Sequence, residues 1–404
     1  MTGPRDTLGD LERRRGRPSS GTLQALRDEQ ARAGTLGPAE VTRVADRLGL
    51  PAAAVYGAAT FFADLALPRR GSRHVRVCDG TACFVAAGGR HVPAVAAALG
   101  TAAGGCAADG SVSLQRVACL GYCYAAPAVL DGDAPRAGPD VAEQLAGRAP
   151  PRDPPIPVRA AVTEPFALAG VVGAADRWRV WPDVVTRHEA ARVLAAVTAA
   201  GLRGRGGAEF PAARKWTAVA AGPPGPRYVV ANGDEGDPGS YADRLLMEQD
   251  PHRVLEGLAL AGLACGAEHG FVYVRAEYPR AGEQLRAAVA EAGAVGLLGP
   301  DVLGSGVAFD VEVVAGAGSY VAGEETSLLA SLEGQRGVPR PRPPYPTSAG
   351  LLGRPTAVNN VETLAAVPEI VRRGGHAFAG LGGAAGDRNE AGVPQRTVPL
   401  PRGV

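Results

Sequence analysis

Four of the six cysteines lie in two short stretches whose spacing suits metal binding. Cys78 and Cys83 occur in CDGTAC, and Cys119 and Cys123 occur in CLGYC, with 35 residues between the two pairs. Structural zinc sites usually use C-x2-C pairs, which are narrower than either pair here. A 2Fe-2S cluster accepts wider pairs, because each pair of thiolates can bind one of its two irons. The spacing favours a 2Fe-2S cluster and leaves a zinc site or two metal-free structural pairs as alternatives.

Small residues beside these cysteines predict loops that approach sulfur closely. Short side chains let backbone N–H groups come near the sulfurs of a cluster. The residues expected in such loops are Gly80, Thr81, Ala82 and Gly121. Cys106 and Cys265 fit no motif, and we expect both to be small buried apolar residues.

A glycine-rich stretch, GLRGRGGAEFPAARKW at 201–216, could bind a phosphate. Four glycines fall within residues 201–207, and three arginines and Lys215 lie in the same stretch. Glycines permit positive φ, so that consecutive N–H groups can form a nest for an anion. The stretch matches neither the G-x-G-x-x-G nor the Walker pattern. An ordinary glycine-rich surface loop remains the alternative.

Two acidic stretches follow strongly apolar segments. ANGDEGDPGSYADR comes directly after the predicted strand YVVAN, and GAGSYVAGEETS comes after VEVVAGAG, with Glu324 and Glu325 at the predicted start of a helix. Ligands of parallel α/β sheets bind outside the carboxyl ends of the strands. The two stretches therefore predict a ligand site, with a solvated acidic cap as the alternative.

Apolar periodicity predicts the elements that position these residues. Val41, Val44, Ala45 and Leu48 follow helical spacing, with Pro38 at the first position of that helix and Gly49 at its C-terminal cap. HVRVC, SVSLQRVAC and PAVLDG then predict short strands, and GRHVPAVAAALG predicts a helix, which together make a small thioredoxin-sized unit. Farther along, the strands YVVAN, FVYVRAE and VAFDVEVVAGAG alternate with helices, which predicts a parallel, doubly wound sheet.

Composition divides the chain and limits its partners. Five prolines in the eleven residues 147–157 predict a stiff linker. We expect a disordered arm at 1–20, a first domain at 21–146, a linker at 147–158, a second domain at 159–373 and an irregular tail at 374–404. The net charge of +1 and the absence of a long apolar run predict no nucleic-acid partner, no direct membrane insertion and a cytoplasmic location.

The cysteine region resembles a known redox subunit. VYGAATFFADLALPRRGSRHVRVCDGTAC followed by RVACLGYCYAAPAV is similar to the thioredoxin-like 2Fe-2S subunit of respiratory complex I, over roughly residues 20–147. The resemblance implies a helical segment followed by a thioredoxin-like 2Fe-2S domain. It also implies that the cluster ligands are Cys78, Cys83, Cys119 and Cys123.

The second domain resembles the flavin-binding, NADH-oxidising subunit of complex I and the diaphorase subunits of NAD-linked hydrogenases and formate dehydrogenases. The similarity runs from about residue 165 to 370 and includes RGVPRPRPPYPTSAGLLGRPTAVNNVETLA. It implies a Rossmann-like, doubly wound FMN-binding domain, and therefore an α/β fold class for the chain. The FMN-binding positions implied are Gly204, Arg205, Gly206, Gly207, Lys215, Asn232, Asp234, Gly323, Asn359 and Asn360.

The same resemblance implies positions for NADH. The residues implied to line the cavity where flavin meets nicotinamide are Glu235, Tyr320, Glu324 and Glu325, of which the three glutamates are the candidate catalytic residues. Phe210 and Tyr345 are implied to stack on the adenine, and Arg342 to meet the dinucleotide phosphates. Glu209, Gly233 and Ala242 depart from the family pattern, with Glu209 in place of a glycine, and we expect these departures to weaken cofactor binding.

The implied function is the electron-input module of an NADH dehydrogenase, in which FMN takes hydride from NADH and electrons pass singly to iron–sulfur centres. Other iron–sulfur subunits are the implied partners, and they would attach the chain peripherally to the inner membrane. A diaphorase of a soluble formate dehydrogenase or hydrogenase, or an inactive remnant, are the alternatives. No cysteine follows Cys265, so we expect this chain to lack the family's C-terminal 4Fe-4S module, as a truncated or frame-shifted product or as a shortened lineage.

Overall fold

The computed structural model describes residues 21–65, 70–158, 165–173 and 177–381. The predicted arm at 1–20 and the predicted tail beyond 381 lie outside these residues. The chain begins with three helices, α1 (Gly21–Ala33), α2 (Pro38–Leu48) and α3 (Ala52–Phe61). Pro38 opens α2 and Gly49 closes it with a φ of 65°, as predicted. The buried faces of these helices form one apolar cluster that also includes Ala317 of the second domain.

A four-stranded sheet carries the cysteines. Its elements are β1 (Arg73–Cys78), α4 (Thr81–Ala87), α5 (His91–Leu99), β2 (Val112–Val117), β3 (Ala128–Asp131), β4 (Ala134–Ala137) and α6 (Val141–Leu145). The strand order is β2-β1-β3-β4, with β1 parallel to β2 and β3 antiparallel to both β1 and β4. Because β1 and β2 are parallel, Cys78 at the end of one and Cys119 just after the other lie at the same edge.

Two details of this sheet differ from the sequence prediction. Thr81 and Ala82, expected in a loop, form the first turn of α4, which has Gly80 as its N-cap. The residues after Gly80 had no helical period of their own to reveal this short helix. Strand β4 was also not predicted, and only Ala137 of its four residues is buried. Such a short edge strand follows from its pairing with β3 rather than from its own pattern.

Residues 147–158 contain neither helix nor strand. Ile156 is nonetheless buried, and it packs against Tyr241 and Leu245 of the second domain. The Tyr124 hydroxyl donates a hydrogen bond to the Pro154 carbonyl at 3.1 Å. The proline-rich segment is therefore attached to both domains along its length, and the domain boundaries proposed from the sequence remain a prediction.

The second domain contains a four-stranded parallel sheet of order β7-β6-β5-β8. Its strands are β5 (Tyr228–Gly233), β6 (His269–Val274), β7 (Asp310–Ala315) and β8 (Thr356–Asn360). The helices before β5 are α7 (Ala169–Val172), α8 (Trp181–Thr186), α9 (Ala190–Ala200) and α10 (Ala212–Ala220). Those from β5 to β7 are α11 (Ala242–Gln249), α12 (Pro251–Cys265) and α13 (Pro279–Ala294). Those after β7 are α14 (Glu325–Leu332), α15 (Pro346–Ala349), α16 (Val361–Ala365), α17 (Val367–Arg373) and α18 (Gly375–Ala379).

Both faces of this sheet are buried. Val229 and Val272 belong to the large core shared with α9 and α12, whereas Tyr228 and Phe271, the next positions back, belong to a smaller core shared with α14. Successive residues of a strand point to opposite faces, so helices cover the sheet on two sides. The predicted doubly wound α/β fold is confirmed.

The fold continues past the predicted start of the tail. Residues from Gly374 onward were expected to be irregular, but α18 lies against α9, and Phe378 is buried edge-to-face on Phe166, with ring centroids 5.1 Å apart. A Cβ on Gly375 would stand 2.2 Å from the Ala196 carbonyl oxygen. This close approach explains why glycine begins a helix where the sequence alone indicated a loop.

Within the described residues, no single helix is long and apolar enough to cross a membrane. The pair α4 and α5, bent by 85°, meets the length and composition criteria together.

Candidate functional site

The four predicted cysteine ligands come together at one edge of the first sheet. The Sγ atoms of Cys119 and Cys123 are 3.6 Å apart, and the Cys78 thiol is in hydrogen-bonding contact with both Cys119 and Cys83. Cys123 is half-buried and the other three are buried. In the described part of the chain, no group of three or more His, Cys, Asp or Glu side chains is arranged so that it could hold a metal ion as it stands. Two linked pairs of thiols suit a two-iron cluster better than a lone zinc ion.

Two glycines make room for these thiols. A Cβ on Gly80 would stand 2.3 Å from the Ala118 carbonyl oxygen and 3.5 Å from Cys78 Sγ. Gly121 has a φ of 72°, and its N–H donates to Cys119 Sγ at 3.3 Å, which matches the expected approach of backbone to sulfur. Hydrogen bonds from the Cys123 and Cys78 thiols, with the Gly121 N–H and the charge of Arg275, lower the pKa of Cys119. The cradle formed by Cys78, Cys83, Cys119 and Cys123 therefore stabilises negative charge on Cys119. Hydrogen bonds with Cys119, together with burial, raise the pKa of Cys78 and of Cys123.

The two remaining cysteines lie outside this cradle. Cys265 is fully buried in the large core of the second domain, as predicted. Cys106 is only half-buried, contrary to the prediction, because its backbone bridges to Ser113 at the outer edge of the first sheet.

The glycine-rich loop meets the carboxyl end of β8. A Cβ on Gly206 would be 3.4 Å from Asn360 Cβ, and the Arg205 N–H donates to the Thr363 hydroxyl at 2.9 Å. The Gly204 N–H instead bonds within the loop, to the Phe210 carbonyl. Gly207 has a φ of 99°, a conformation that favours glycine.

The two acidic stretches meet at the neighbouring strand end. Asn232 of β5 is the register partner of Asn360, and its side-chain amide donates to the Gly323 carbonyl at 2.8 Å. A Cβ on Gly323 would lie 3.2 Å from Asp234 Oδ2. The structure thus brings the glycine-rich loop, both acidic stretches and the Asn359–Asn360 pair to one edge of the parallel sheet.

The site where these loops meet at the sheet edge, called the cleft below, contains buried donors without a partner among the described residues. They are the Asn359 side-chain amide and Arg205 Nε. Asn359 Oδ1 accepts a hydrogen bond from Trp216 Nε1 at 3.3 Å, and the Arg205 guanidinium pairs with Glu362 at 2.7 Å, so both side chains are held in place. Buried polar groups normally find partners. Two fixed donors beside an open glycine-rich loop suit a flavin mononucleotide, which offers ring carbonyls and a phosphate.

Asp234 is a buried carboxyl group in the same cleft. It is 3% exposed, and burial raises its pKa to about 7, although the positive charge of Arg275 acts in the opposite direction.

The raised pKa of Asp234 predicts a pH-dependent stability. We expect the free energy of unfolding of the flavin-free protein to decrease from pH 5 to pH 7, because the unfolded chain has already released this proton while the folded chain still holds it. Relative to Asp234→Asn, the wild type should lose about 2 to 3 kcal/mol of unfolding free energy over that range. Urea unfolding at pH 5 and pH 7 measures the free energy of unfolding of both proteins. The same change with pH in the wild type and in Asp234→Asn would refute the prediction.

A charged network lines the adjoining part of the cleft. Glu324 caps α14 by accepting the N–H groups of Thr326 and Ser327, and it also pairs with Arg342. Glu325 pairs with Arg342 at 3.1 Å and with Lys215 at 3.2 Å. The sequence-predicted residues Lys215, Glu324, Glu325 and Arg342 are therefore in contact. Both cations already have carboxylate partners, so an anionic ligand would have to compete with these pairs.

The three aromatic side chains that the resemblance implies for NADH binding are exposed. Phe210 is 45% exposed, Tyr345 is 57% exposed and Tyr320 is 66% exposed. Phe210 lies two residues before α10 (Ala212–Ala220), Tyr345 directly precedes α15 (Pro346–Ala349), and these two helices pack on each other. Exposed aromatic faces are the surfaces that a planar base uses for stacking.

The Glu235 carboxylate faces the start of α11 and not the charged network. Its carboxylate accepts hydrogen bonds from the Ser240 hydroxyl, the Asp243 and Arg244 N–H groups and the Tyr278 hydroxyl. The structure therefore brings Glu324 and Glu325 together with Lys215, but the Glu235 carboxylate faces the start of α11. Its cavity-lining role stays a prediction.

Glu209 occupies the position where the resemblance implies glycine, and its φ is 51°. The left-handed conformation costs a non-glycine residue about 1 to 2 kcal/mol. Because the side chain is exposed, we expect Glu209→Gly to stabilise the protein by about 1 kcal/mol. Urea unfolding measures the free energy of unfolding of this variant. Ala208→Gly is the control, and it should not stabilise the protein.

Sequence reasoning missed a group of residues where the two domains meet. They are Gly239, Arg244, Arg275 and Tyr278. Arg275 donates to the Cys119 carbonyl at 2.9 Å, and the Gly239 N–H donates to Cys123 Sγ at 3.2 Å. The one available signal was an arginine at the end of the otherwise apolar strand sequence FVYV.

Comparisons with known proteins agree with this geometry. Residues 10–138 match the family model of the thioredoxin-like [2Fe-2S] ferredoxin, and residues 197–369 match that of the Nuo51 FMN-binding domain. This chain joins a thioredoxin-like [2Fe-2S] ferredoxin domain to a Nuo51 FMN-binding domain. The ferredoxin domain holds the four cysteines, and the FMN-binding domain holds the glycine-rich loop and the orphaned donors.

Curated relatives match about half of the chain. An NADH-quinone oxidoreductase subunit of Rhizobium meliloti (strain 1021) is 46% identical over 215 residues, covering 53% of this chain and 51% of that protein. NADP-reducing hydrogenase subunit HndC of Solidesulfovibrio fructosivorans is 45% identical over 217 residues, which cover 54% of this chain and 42% of that protein. The matched part thus spans about half the length of these relatives.

Solved structures match both domains. A chain of an NAD+-reducing [NiFe]-hydrogenase in the air-oxidized state superposes with a TM-score of 0.75 at 32% identity, covering 89% of this chain and 62% of that one. The same enzyme in the H2-reduced state gives a TM-score of 0.77.

Proposed function

We propose that this chain oxidises NADH at FMN and passes the electrons singly to iron–sulfur centres, as the electron-input module of a complex I-like NADH dehydrogenase. The observation that carries the proposal is the segment Asn232–Gly239. It begins in the FMN cleft, where Asn232 holds the Gly323 carbonyl, and ends at the cysteine cradle, where the Gly239 N–H donates to Cys123 Sγ. A single stretch of backbone thus connects the two cofactor sites.

The chain's own residues would bind and orient the reactants. Asn359 and Arg205 offer donors to the flavin, Phe210 and Tyr345 offer faces to the adenine, and Arg342 offers a cation to the dinucleotide phosphates. FMN, when bound, supplies the chemistry, because it accepts a hydride and returns two electrons one at a time. The protein supplies geometry and electrostatics. Partner subunits that carry further iron–sulfur centres, and any attachment to a membrane through them, belong to the same proposal.

A second candidate is the diaphorase module of an NAD-linked hydrogenase or formate dehydrogenase. It is supported by the NAD+-reducing hydrogenase chain, which aligns with 89% of this sequence and therefore with both domains in one polypeptide. The chemistry at FMN is the same in both candidates, and the partner subunits differ.

Anaerobic purification tests the shared part of the proposal. We expect protein with FMN and a 2Fe-2S cluster, whose visible flavin absorption bleaches when NADH is added. A colourless, iron-free protein would contradict it and favour an inactive remnant. Co-purification of the chain from its native source then separates the candidates, since a hydrogenase or formate dehydrogenase subunit in the complex would exclude the first.

A further inference from the structure

One buried arginine connects the cysteine cradle with the segment that leads out of the FMN cleft. Arg275 directly follows β6 and is 8% exposed. Its guanidinium donates one hydrogen bond to the Cys119 carbonyl at 2.9 Å and another to the Glu235 carbonyl at 2.8 Å. Cys119 belongs to the cysteine cradle, and Glu235 belongs to the segment that leads out of the FMN cleft. The Arg275 side chain therefore bridges the two domains at the level of both sites.

We propose that Arg275 is a positioning residue that raises the reduction potential of the cluster and holds the Asn232–Gly239 segment against it. The inference rests on the proposed function, because it requires the four cysteines to hold a 2Fe-2S cluster.

Charge and burial give the reason for the effect on potential. Reduction adds one electron, and hence one negative charge, to a cluster surrounded by thiolates. Arginine stays protonated at all accessible pH values, and a buried cation is poorly screened by water or salt. Arg275 thus stabilises the reduced form more than the oxidised form. The same charge contributes to the lowered pKa of Cys119.

Glu277 opposes this effect. Its carboxylate pairs with Arg275 Nε at 3.1 Å and is itself largely buried, with its side chain 12% exposed. The electrostatic potential at the cluster therefore depends on both groups. The Arg275 cation contacts Cys119 directly, and the Glu277 anion contacts Arg275 and partly cancels its charge. Removal of either member of the pair should move the potential, and the two shifts should have opposite signs.

The second role follows from the packing around the guanidinium. Arg275 lies over the Tyr278 ring, 5.1 Å from its centroid, and a Cβ on Gly121 would stand 2.4 Å from that same ring. The ring is thus fixed between the arginine and the cysteine-bearing turn. With Glu235 held through its carbonyl, the segment delivers the Gly239 N–H to Cys123 Sγ. A hydrogen bond to a cluster sulfur also favours the reduced state.

The test is a redox titration of the cluster's electron paramagnetic resonance signal in the full-length holoprotein. In Arg275→Gln we expect the ratio of reduced to oxidised cluster at a fixed potential to fall about tenfold, a shift of about 59 mV to more negative potential. In Glu277→Gln the ratio should rise. Arg275→Lys, which keeps the charge, should return the ratio towards the wild-type value.

Arg280→Gln is the matched control. Arg280 is also an arginine at the domain junction, where it pairs with Asp153 at 3.3 Å, but its side chain is 60% exposed. Solvent screens such a charge, so its removal should leave the potential unchanged. A shift as large as that of Arg275→Gln would overturn the assignment to Arg275.

The outcomes separate the inference from the proposed function. Wild-type protein without iron and sulfide would overturn both. Wild-type protein with a cluster whose potential is the same in Arg275→Gln and Glu277→Gln would overturn only the inference. If Arg275→Gln fails to retain its cluster, Glu277→Gln decides, because a shift to more negative potential, or none, contradicts the proposed sign.

Discussion

We expect the replacement of Cys119 by alanine to abolish the 2Fe-2S cluster, so that iron and acid-labile sulfide fall from a full complement to background. Cys119 is central to the cradle, because its sulfur contacts both Cys78 and Cys123 and accepts the Gly121 N–H. A cluster with one ligand missing keeps an iron open to solvent and decays. Iron and sulfide assays on anaerobically purified protein measure the loss directly.

Cys106→Ala is the control for this result. Cys106 is half-buried in the same ferredoxin domain but outside the cradle. Its replacement should leave iron, sulfide and the electron paramagnetic resonance signal unchanged. Equal iron content in Cys119→Ala and the wild type would show that the four cysteines do not form the metal site.

We expect the replacement of Asn359 by aspartate to lower the affinity for FMN by about 10- to 150-fold, which is the effect of losing a hydrogen bond of about 1.5 to 3 kcal/mol. The Asn359 amide is a buried donor without a partner in the described structure, and it lies where β8 meets the glycine-rich loop. Aspartate has nearly the same shape and keeps the acceptor for Trp216, but it offers no amide donor. Flavin fluorescence during titration of the flavin-free protein with FMN measures the affinity.

Trp216→Phe provides the control at the same place. It removes the other end of the Trp216–Asn359 hydrogen bond while leaving the orphaned donor available. This variant should lose some stability and keep its FMN affinity within a few-fold of the wild type. If Trp216→Phe and Asn359→Asp weaken FMN binding equally, the packing of the cleft and not the amide donor determines affinity.

Local signals predicted much of the fold and most of the site. The strands that carry Cys78 and Asn232 are short apolar runs bounded by glycine or polar residues, and the structure has them where the pattern indicated. Loops that follow parallel strands converge, because the carboxyl ends of those strands lie at one edge. For that reason, the sequence predicted a ligand site from the stretches that contain Asn232 and Glu324. The glycine-rich loop follows helix α9 and not a strand, so its place at the same site was implied by the family resemblance.

Other features had no local signal. Helix α18 forms because Gly375 lies close to α9 and because the Phe378 side chain is buried. A glycine-rich sequence predicts neither contact. The direction of the Glu235 carboxylate is likewise set by the start of α11 and by Tyr278. In these places tertiary contacts outweigh the weak preference of a short segment.

The sequence by itself predicted two sets of candidate cofactor-binding residues, from cysteine spacing, from the ends of predicted strands and from the family resemblance. Only the tertiary structure decided how the sets face each other. Arg275 meets Cys119 across 156 positions of sequence, and Gly239 meets Cys123 across 116. Contacts over such separations depend on how two folded surfaces pack, and the periodicity of a single helix or strand carries no information about that packing.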